Sequence, residues 1–181
     1  MIKVGIITAS DKSAAGARED QSGPLIRRML EPLAADIVEA AVLPDEQAEI
    51  ESKLREMSDC LEIDLILTTG GTGLGPRDVT PDATLAVIDT PVPGLPEAMR
   101  QVSLAKTPHA MLSRAAAGIR GRTLIVNLPG SPRAVGECLK VILPAIPHAI
   151  EVLRGKADEC ARLRDSAPDE NWIDRPGSGL V

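Results

Sequence analysis

The chain contains neither phenylalanine nor tyrosine, and its one aromatic residue is Trp172. The core must therefore be aliphatic, and no row of rings is available on which single-stranded bases could stack. Positive charge is also short: 20 Lys and Arg stand against 26 Asp and Glu, for a net charge of −6. Both shortages argue against a nucleic-acid partner, which would need a broad basic footprint. Cysteine is scarce. Cys60, Cys138 and Cys160 are far apart and fall in no CxxC or Cys/His ligand spacing, so no structural zinc site is expected. Buried free thiols in a reducing compartment are expected instead. His109 and His148 sit in no arrangement that would serve a Ser–His–Asp or Cys–His nucleophile. No apolar run approaches the roughly 18 residues of a membrane span. The start, MIKVGIITAS, reads as a strand and not as a signal peptide. These absences together predict a soluble cytoplasmic protein, and 181 residues amount to about one domain with a sizeable core.

What is present is an alternation. IKVGIITA (2–9) and TLIVNL (123–128) are short apolar runs that predict buried strands, DLILTT (64–69) predicts a further apolar strand, and DIVEAAVL (36–43) a second strand in chain order. Between them lie helical patterns. One opens at Gly23-Pro24 with Leu25, Met29, Leu30 and Leu33, and another runs through EQAEIESKLREMSDCL. Thr80-Pro81 and Ser131-Pro132 are each a capping residue followed by a proline suited to a first helical position. Residues 93–117 read as further helix broken near Pro108, and Pro144 and Pro147 should split the last helix. Apolar strands alternating with helices predict a three-layer α/β/α fold with a mostly parallel central sheet. One domain is expected over residues 1–165. A flexible tail is expected over 166–181, where the chain becomes rich in proline, glycine and charge.

In such sheets ligands bind beyond the carboxyl ends of the strands. Ser10-Asp11, Asp45, GGTG (70–73) and NLPGSP (127–132) each follow a strand, so all should share one edge of the sheet. Glycines in the GGTG loop allow close approach of backbone N–H groups to an anion, and Thr72 adds a hydroxyl. The same glycines would equally serve a tight connection. The loop is neither a Walker A sequence nor GxGxxG. Arg77 could fork onto phosphate oxygens. Asp78 beside it would need a cation such as Mg²⁺ if phosphates bind there, or it is a loop cap. Asp45 lies where a helix N-cap belongs, and Asp11 and Asp20 suit turns or caps. Ser131 is a natural N-cap, also a place where an anion can dock. Ser113-Arg114 reads as a polar pair on a helix surface.

The stretch TTGGTGLGPRDVTPDAT (68–84) resembles the signature of the molybdopterin adenylyltransferase family, the MogA type that includes the G domain of gephyrin. VGIITASDKSAAG, LPDEQAEIESKL, MLSRAAAGIRGRTLIVNLPGSPRAVGECL and LPAIPHAIEVLRG are similar to further family segments in the family's order, from about Lys3 to Gly155. The resemblance implies transfer of AMP from ATP to the terminal phosphate of molybdopterin, with release of pyrophosphate. It also implies Mg²⁺, a homotrimer and an onward molybdenum-insertion protein. It places the catalytic and metal-holding carboxylates at Asp45 and Asp78. The substrate-binding positions it implies are Ser10, Asp11, Gly70, Gly71, Thr72, Gly73, Arg77, Ser113, Arg114, Asn127, Pro129, Gly130 and Ser131. A non-catalytic molybdopterin carrier, a trimeric scaffold domain and a CinA-type domain are the alternatives. The intact Arg77-Asp78-Val79-Thr80-Pro81 and Pro44-Asp45 favour the enzyme.

Overall fold

Successive side chains of a strand point to opposite faces, so a strand covered on both faces must be apolar at nearly every position. The computed structural model, which describes residues 1–155, bears this out for its inner strands, while its edge strand Ala35–Leu43 alternates half-buried and exposed positions. Its strands are β1 (Ile2–Ala9), β2 (Ala35–Leu43), β3 (Leu65–Thr69), β4 (Thr90–Pro91), β5 (Ala117–Arg120) and β6 (Thr123–Leu128). Its helices are α1 (Asp11–Ala14), α2 (Ser22–Leu30), α3 (Gln47–Arg55), α4 (Thr80–Val87), α5 (Gly94–Leu104), α6 (Pro132–Ile142) and α7 (Ile146–Leu153). The sheet runs β2-β1-β3-β6-β5-β4. The first four strands of that order are mutually parallel, and β5 and β4 are antiparallel additions at one edge.

Alternation along the strands divides the core in two. Val4, Ile6, Leu65, Leu67, Leu124, Val126 and Leu128 pack with Ile26, Leu30, Met99, Val135, Leu139 and Ile150 from α2, α5, α6 and α7. Ile7, Ala9, Ile66 and Ile125 face the other way, against Ile50, Leu54, Ala83 and Val87 from α3 and α4. This is the expected α/β/α sandwich, and its aliphatic core needs no ring. Among the described residues no helix is long and apolar enough to cross a membrane.

Three expectations need correction. The span 93–117 is helical only over α5 and a 3₁₀ turn at Pro108–Leu112; it then extends into β5. AAAG has helical propensity, but Ala115 and Ala117 are buried and a Cβ at Gly118 would lie 2.4 Å from Ile88 Cδ1. Close packing against the sheet, not propensity, decides this segment. Cys60, expected to be a buried thiol, is exposed, whereas Cys138 is buried. Thr80 starts α4 but caps nothing, and the cap position is Val79. Ser131 does cap α6, accepting from Ala134 N at 3.3 Å, and a 3₁₀ turn at Leu143–Ala145 splits α6 from α7 at the prolines. The expected tail, the boundary at residue 165, Cys160 and Trp172 lie outside the described residues.

Candidate functional site

The parallel strands all end on one side of the sheet. Strand order reverses between β1 and β3, where doubly wound folds open a ligand crevice. Three loops meet there at backbone distance. Gly70 has φ +97°, and a Cβ on it would lie 2.2 Å from the Ala9 carbonyl oxygen. A Cβ on Gly130 would lie 3.2 Å from Gly70 Cα. Thr69 Oγ1 donates to Pro129 O at 2.7 Å, and Ser22 Oγ donates to Gly130 O at 3.0 Å. The GGTG glycines thus answer a packing demand, whatever else they do.

A polar cavity of about 240 Å³ opens over these loops, lined by Ser10, Arg18, Asp20, Ser22, Gly70, Gly130 and Ser131 among others. Asp20 organises one wall. Its Oδ1 accepts from Ser22 N and Gly23 N at 2.9 and 3.1 Å, and its Oδ2 accepts from Thr8 Oγ1 at 2.8 Å. That is the capping role expected for it. A second, largely apolar cavity of about 290 Å³ lies alongside, lined by Thr72, Gly73, Met99, Arg100, Leu112, Ser113, Pro129 and Cys138 among others. The two cavities share loops: residues 70 and 130–131 line the polar one, while 72–73 and 129 line the apolar one.

The carboxylates form a linked set. Asp11 N donates to Asp45 Oδ2 at 2.9 Å and Asp45 N donates to Asp11 Oδ1 at 3.0 Å, a reciprocal pair. Asp45 therefore does not cap α3, whose cap position is Glu46 with no side-chain bond. Arg77 donates to both Asp11 oxygens, at 2.8 and 3.1 Å, and to Glu46 Oε1 at 2.6 Å. Arg77 holds the Asp11 carboxyl below its ordinary range. Asp45 shifts the other way: burial pushes its carboxyl up, and the charges of Asp11 and Asp78 add to the push. Asp78 Oδ2 accepts from Gly75 N at 2.7 Å. A Cβ at Gly73 or Gly75 would lie 2.9 or 2.8 Å from that oxygen, so a side chain at either position would shift the Asp78 carboxylate.

A family profile described as "Probable molybdopterin binding domain" matches residues 5–148. Molybdopterin adenylyltransferase of Helicobacter pylori strain J99 is 42% identical over 156 residues, 85% of this chain and 89% of that protein. The enzyme of the same name from Haemophilus influenzae is 43% identical over 169 residues, 86% of each. The chain belongs to the molybdopterin adenylyltransferase family. In structure it is similar to the molybdopterin biosynthesis enzyme MoaB from Thermus thermophilus, with TM-score 0.82 and 50% identity, covering 86% of this chain and 98% of that one.

Against that family pattern, the structure gathers Ser10, Asp11, Asp45, the glycine loop, Arg77, Asp78 and Pro129–Ser131 at the strand ends. Ser113 joins them at the apolar cavity. The two arginines are already engaged. Arg114 donates from Nε to Gly73 O at 2.9 Å, to the Asp78 carbonyl, and to both Asp82 oxygens at 3.0 and 2.9 Å. It braces the loop and offers no free fork to an anion, and the same holds for Arg77. Asn127 is a plain correction. It is fully buried, its Nδ2 donates to Thr68 Oγ1 and Thr84 Oγ1 at 2.9 and 2.8 Å, and its Oδ1 accepts from Ala116 N at 3.1 Å. With its amide fully used it ties β3, α4 and the approach to β5 together, and its side chain has no exposed surface. Sequence reading missed Arg100, whose Nη1 donates to Ser113 O and Ala115 O at 3.3 and 3.1 Å at the apolar cavity. No local pattern in MRQVS marks it. Glu46, the second partner of Arg77, was hidden by its place at a helix start. Among the described residues no cluster of three or more metal-ligating side chains occurs.

Proposed function

We propose that this chain is a molybdopterin adenylyltransferase that joins AMP from ATP to the terminal phosphate of molybdopterin and releases pyrophosphate. One observation carries the reading beyond family membership. The glycine loop and the Pro129–Ser131 loop together form the wall between a polar and a largely apolar cavity. Two substrates whose phosphates must react can meet on those loops while a flat heterocycle occupies the apolar side. A terminal phosphate oxygen of molybdopterin attacks the α-phosphorus of ATP in line. The new P–O bond forms as the bond to the bridging oxygen breaks, and pyrophosphate leaves with that electron pair. No enzyme nucleophile takes part. Catalysis rests on positioning and charge neutralisation.

The residues fit Mg²⁺, which binds through one or two carboxylates completed by waters and substrate phosphates. Asp45 spends only Oδ2 on the Asp11 N–H, and Asp78 spends Oδ2 on the Gly75 N–H, so each can turn an oxygen to a cation. When bound, the cation neutralises phosphate charge. Arg77 keeps Asp11 and Glu46 neutralised beside the phosphates, and Arg114 holds the glycine loop in shape. Ser10, Ser131 and loop N–H groups donate to phosphate oxygens, and Ser113 to the ligand in the apolar cavity. The same reading carries a homotrimer working in the cytoplasm and delivering its product to a molybdenum-insertion protein.

The test is a discontinuous assay with purified protein, molybdopterin, Mg²⁺ and α-labelled ATP, run on wild type, Asp78→Asn and Asp45→Ala. Adenylylated molybdopterin and stoichiometric pyrophosphate from wild type, with collapse in both variants, are expected. Binding of molybdopterin without product would move the chain to the carrier reading.

A further inference from the structure

The first residue of α4 has no partner where one is due. Thr80 is fully buried, yet its hydroxyl has no hydrogen-bond partner. Its backbone N–H is satisfied by Gly71 O at 3.2 Å, and its side chain makes no cap bond. A buried hydroxyl left unpaired is destabilising, and such a group in a native fold calls for a reason. Its surroundings supply one. A Cβ on Gly71 would lie 2.6 Å from Thr80 Oγ1 and 3.1 Å from Asp45 Oδ1. The hydroxyl and the carboxylate oxygen not taken by Asp11 therefore flank one spot, left open only because residue 71 is glycine. Gly71 sits at φ +60°, and a methyl group there would wedge the two oxygens apart.

Resting on the adenylyltransferase reading of this cleft, we propose that Thr80 is a positioning residue for Asp45. Its hydroxyl donates to Asp45 Oδ1 when cation and nucleotide draw the carboxylate against the glycine loop, and so fixes the direction in which Asp45 meets the cation. In the free protein the donor is held in reserve. A small rotation of the half-buried Asp45 side chain across the open spot at Gly71 completes the bond. Groups that orient a metal-binding carboxylate in this way change metal affinity by about 10- to 100-fold when removed.

The test uses Mn²⁺ as a spectroscopic stand-in for Mg²⁺. It is titrated into the full chain with α,β-methylene-ATP and followed by electron paramagnetic resonance, for wild type, Thr80→Val and Thr80→Ser. Thr80→Val should weaken Mn²⁺ binding about tenfold or more, while Thr80→Ser should stay within about threefold of wild type because it keeps the hydroxyl. The thermal midpoint of the free Thr80→Val protein should be equal to or above that of wild type, since the substitution removes an unpaired buried polar atom. That combination separates positioning from a scaffold role, which would lower the midpoint. Thr80→Val binding Mn²⁺ as well as wild type would overturn the assignment while leaving the adenylyltransferase reading intact. Wild type binding neither Mn²⁺ nor nucleotide would overturn both.

Discussion

Replacing Gly70 with alanine tests whether the glycine loop is built by contact or only by conformation. Two effects add at this position. A non-glycine residue in the left-handed region costs roughly 1–2 kcal/mol, and φ +97° lies beyond the small well that L-residues tolerate near +50 to +70°. The new Cβ would also stand 2.2 Å from the Ala9 carbonyl oxygen. That oxygen belongs to the backbone at the end of β1, where Thr8 pairs with Thr69 in the sheet, so it cannot swing aside as a side chain could. Such an overlap adds about 1–3 kcal/mol. The smaller entropy of the unfolded alanine chain returns about 0.4–1 kcal/mol. The terms sum to a loss of between about 1 and 5 kcal/mol with a middle of about 3 kcal/mol, which for a chain of this size lowers the thermal midpoint by about 6–12 °C. Gly121 is the control. It has φ +55°, and a Cβ added there would meet nothing within 4 Å. Gly121→Ala should lose only about 0.5–1 kcal/mol and shift the midpoint by less than about 4 °C. Urea and thermal unfolding of both variants, with wild type alongside, give the comparison. Equal losses within about 1 kcal/mol would refute the close-approach argument and leave backbone conformation as the whole explanation.

Further expectations concern buried polar links and charge. Asn127→Ala strands the Ala116 N–H and removes both threonine contacts, so it should cost about 3–5 kcal/mol, read as a shifted urea midpoint; a loss below about 1 kcal/mol would return Asn127 to the candidate ligand contacts. Asp45→Asn keeps an acceptor for the Asp11 N–H but loses a carboxylate that burial has pushed above its ordinary value of 3.8. The folded protein binds that proton more tightly than the unfolded chain, so wild-type stability falls as pH rises through the window just above 3.8. The variant should match wild type below that window and exceed it above, while losing adenylyl transfer. Asp11→Asn should do the reverse. Arg77 depresses the Asp11 carboxyl, so its stabilisation is present above its ordinary value and is lost as pH falls through the lowered one; melting curves from about pH 3 to 7 check both signs.

The inner strands of the parallel half were legible because doubly buried strands must be apolar at nearly every position, and the runs at 2–9, 64–69 and 123–128 are predominantly so by composition alone. The antiparallel edge was not. β4 is two residues long, and β5 carries alanine and glycine chosen for tight packing on Ile88, a signal that exists only in three dimensions. The site shows the same division. Position after a strand placed Ser10, Asp45, the glycine loop and Ser131 at one edge of the sheet, because topology alone brings those loops together. Which polar groups remain free for a ligand could not be read that way. Asn127, Arg77 and Arg114 carry the right chemistry in the right loops, but their hydrogen bonds are taken by residues 11 to 66 positions away in the chain. Thr80 is the converse. Its TP sequence promised a cap, and only the packed structure shows the hydroxyl unspent.

The arrangement of charge explains why a loop so rich in carboxylates can receive phosphates at all. Asp11 and Glu46 would repel a polyanion, but both are held by Arg77, whose own proton is fastened more firmly by them. Asp82 is likewise held by Arg114. Those pairs lie at the surface and add little to stability as isolated contacts. Their consequence is selective: they leave Asp45 as the carboxylate whose charge is disfavoured in the free protein, raised by burial and by its neighbours Asp11 and Asp78. A group in that state gains most when a cation arrives, because binding relieves the repulsion that the empty cleft maintains. Releasing Arg77 from Asp11 by an Asp11→Asn change should therefore weaken the discrimination between Asp45 and its neighbours. The expected sign is a lower Asp45 carboxyl pKa, since one repelling charge is gone, together with weaker Mn²⁺ binding in the presence of nucleotide. Tighter Mn²⁺ binding by that variant would show that the unrelieved charge at Asp45 is not what draws the cation.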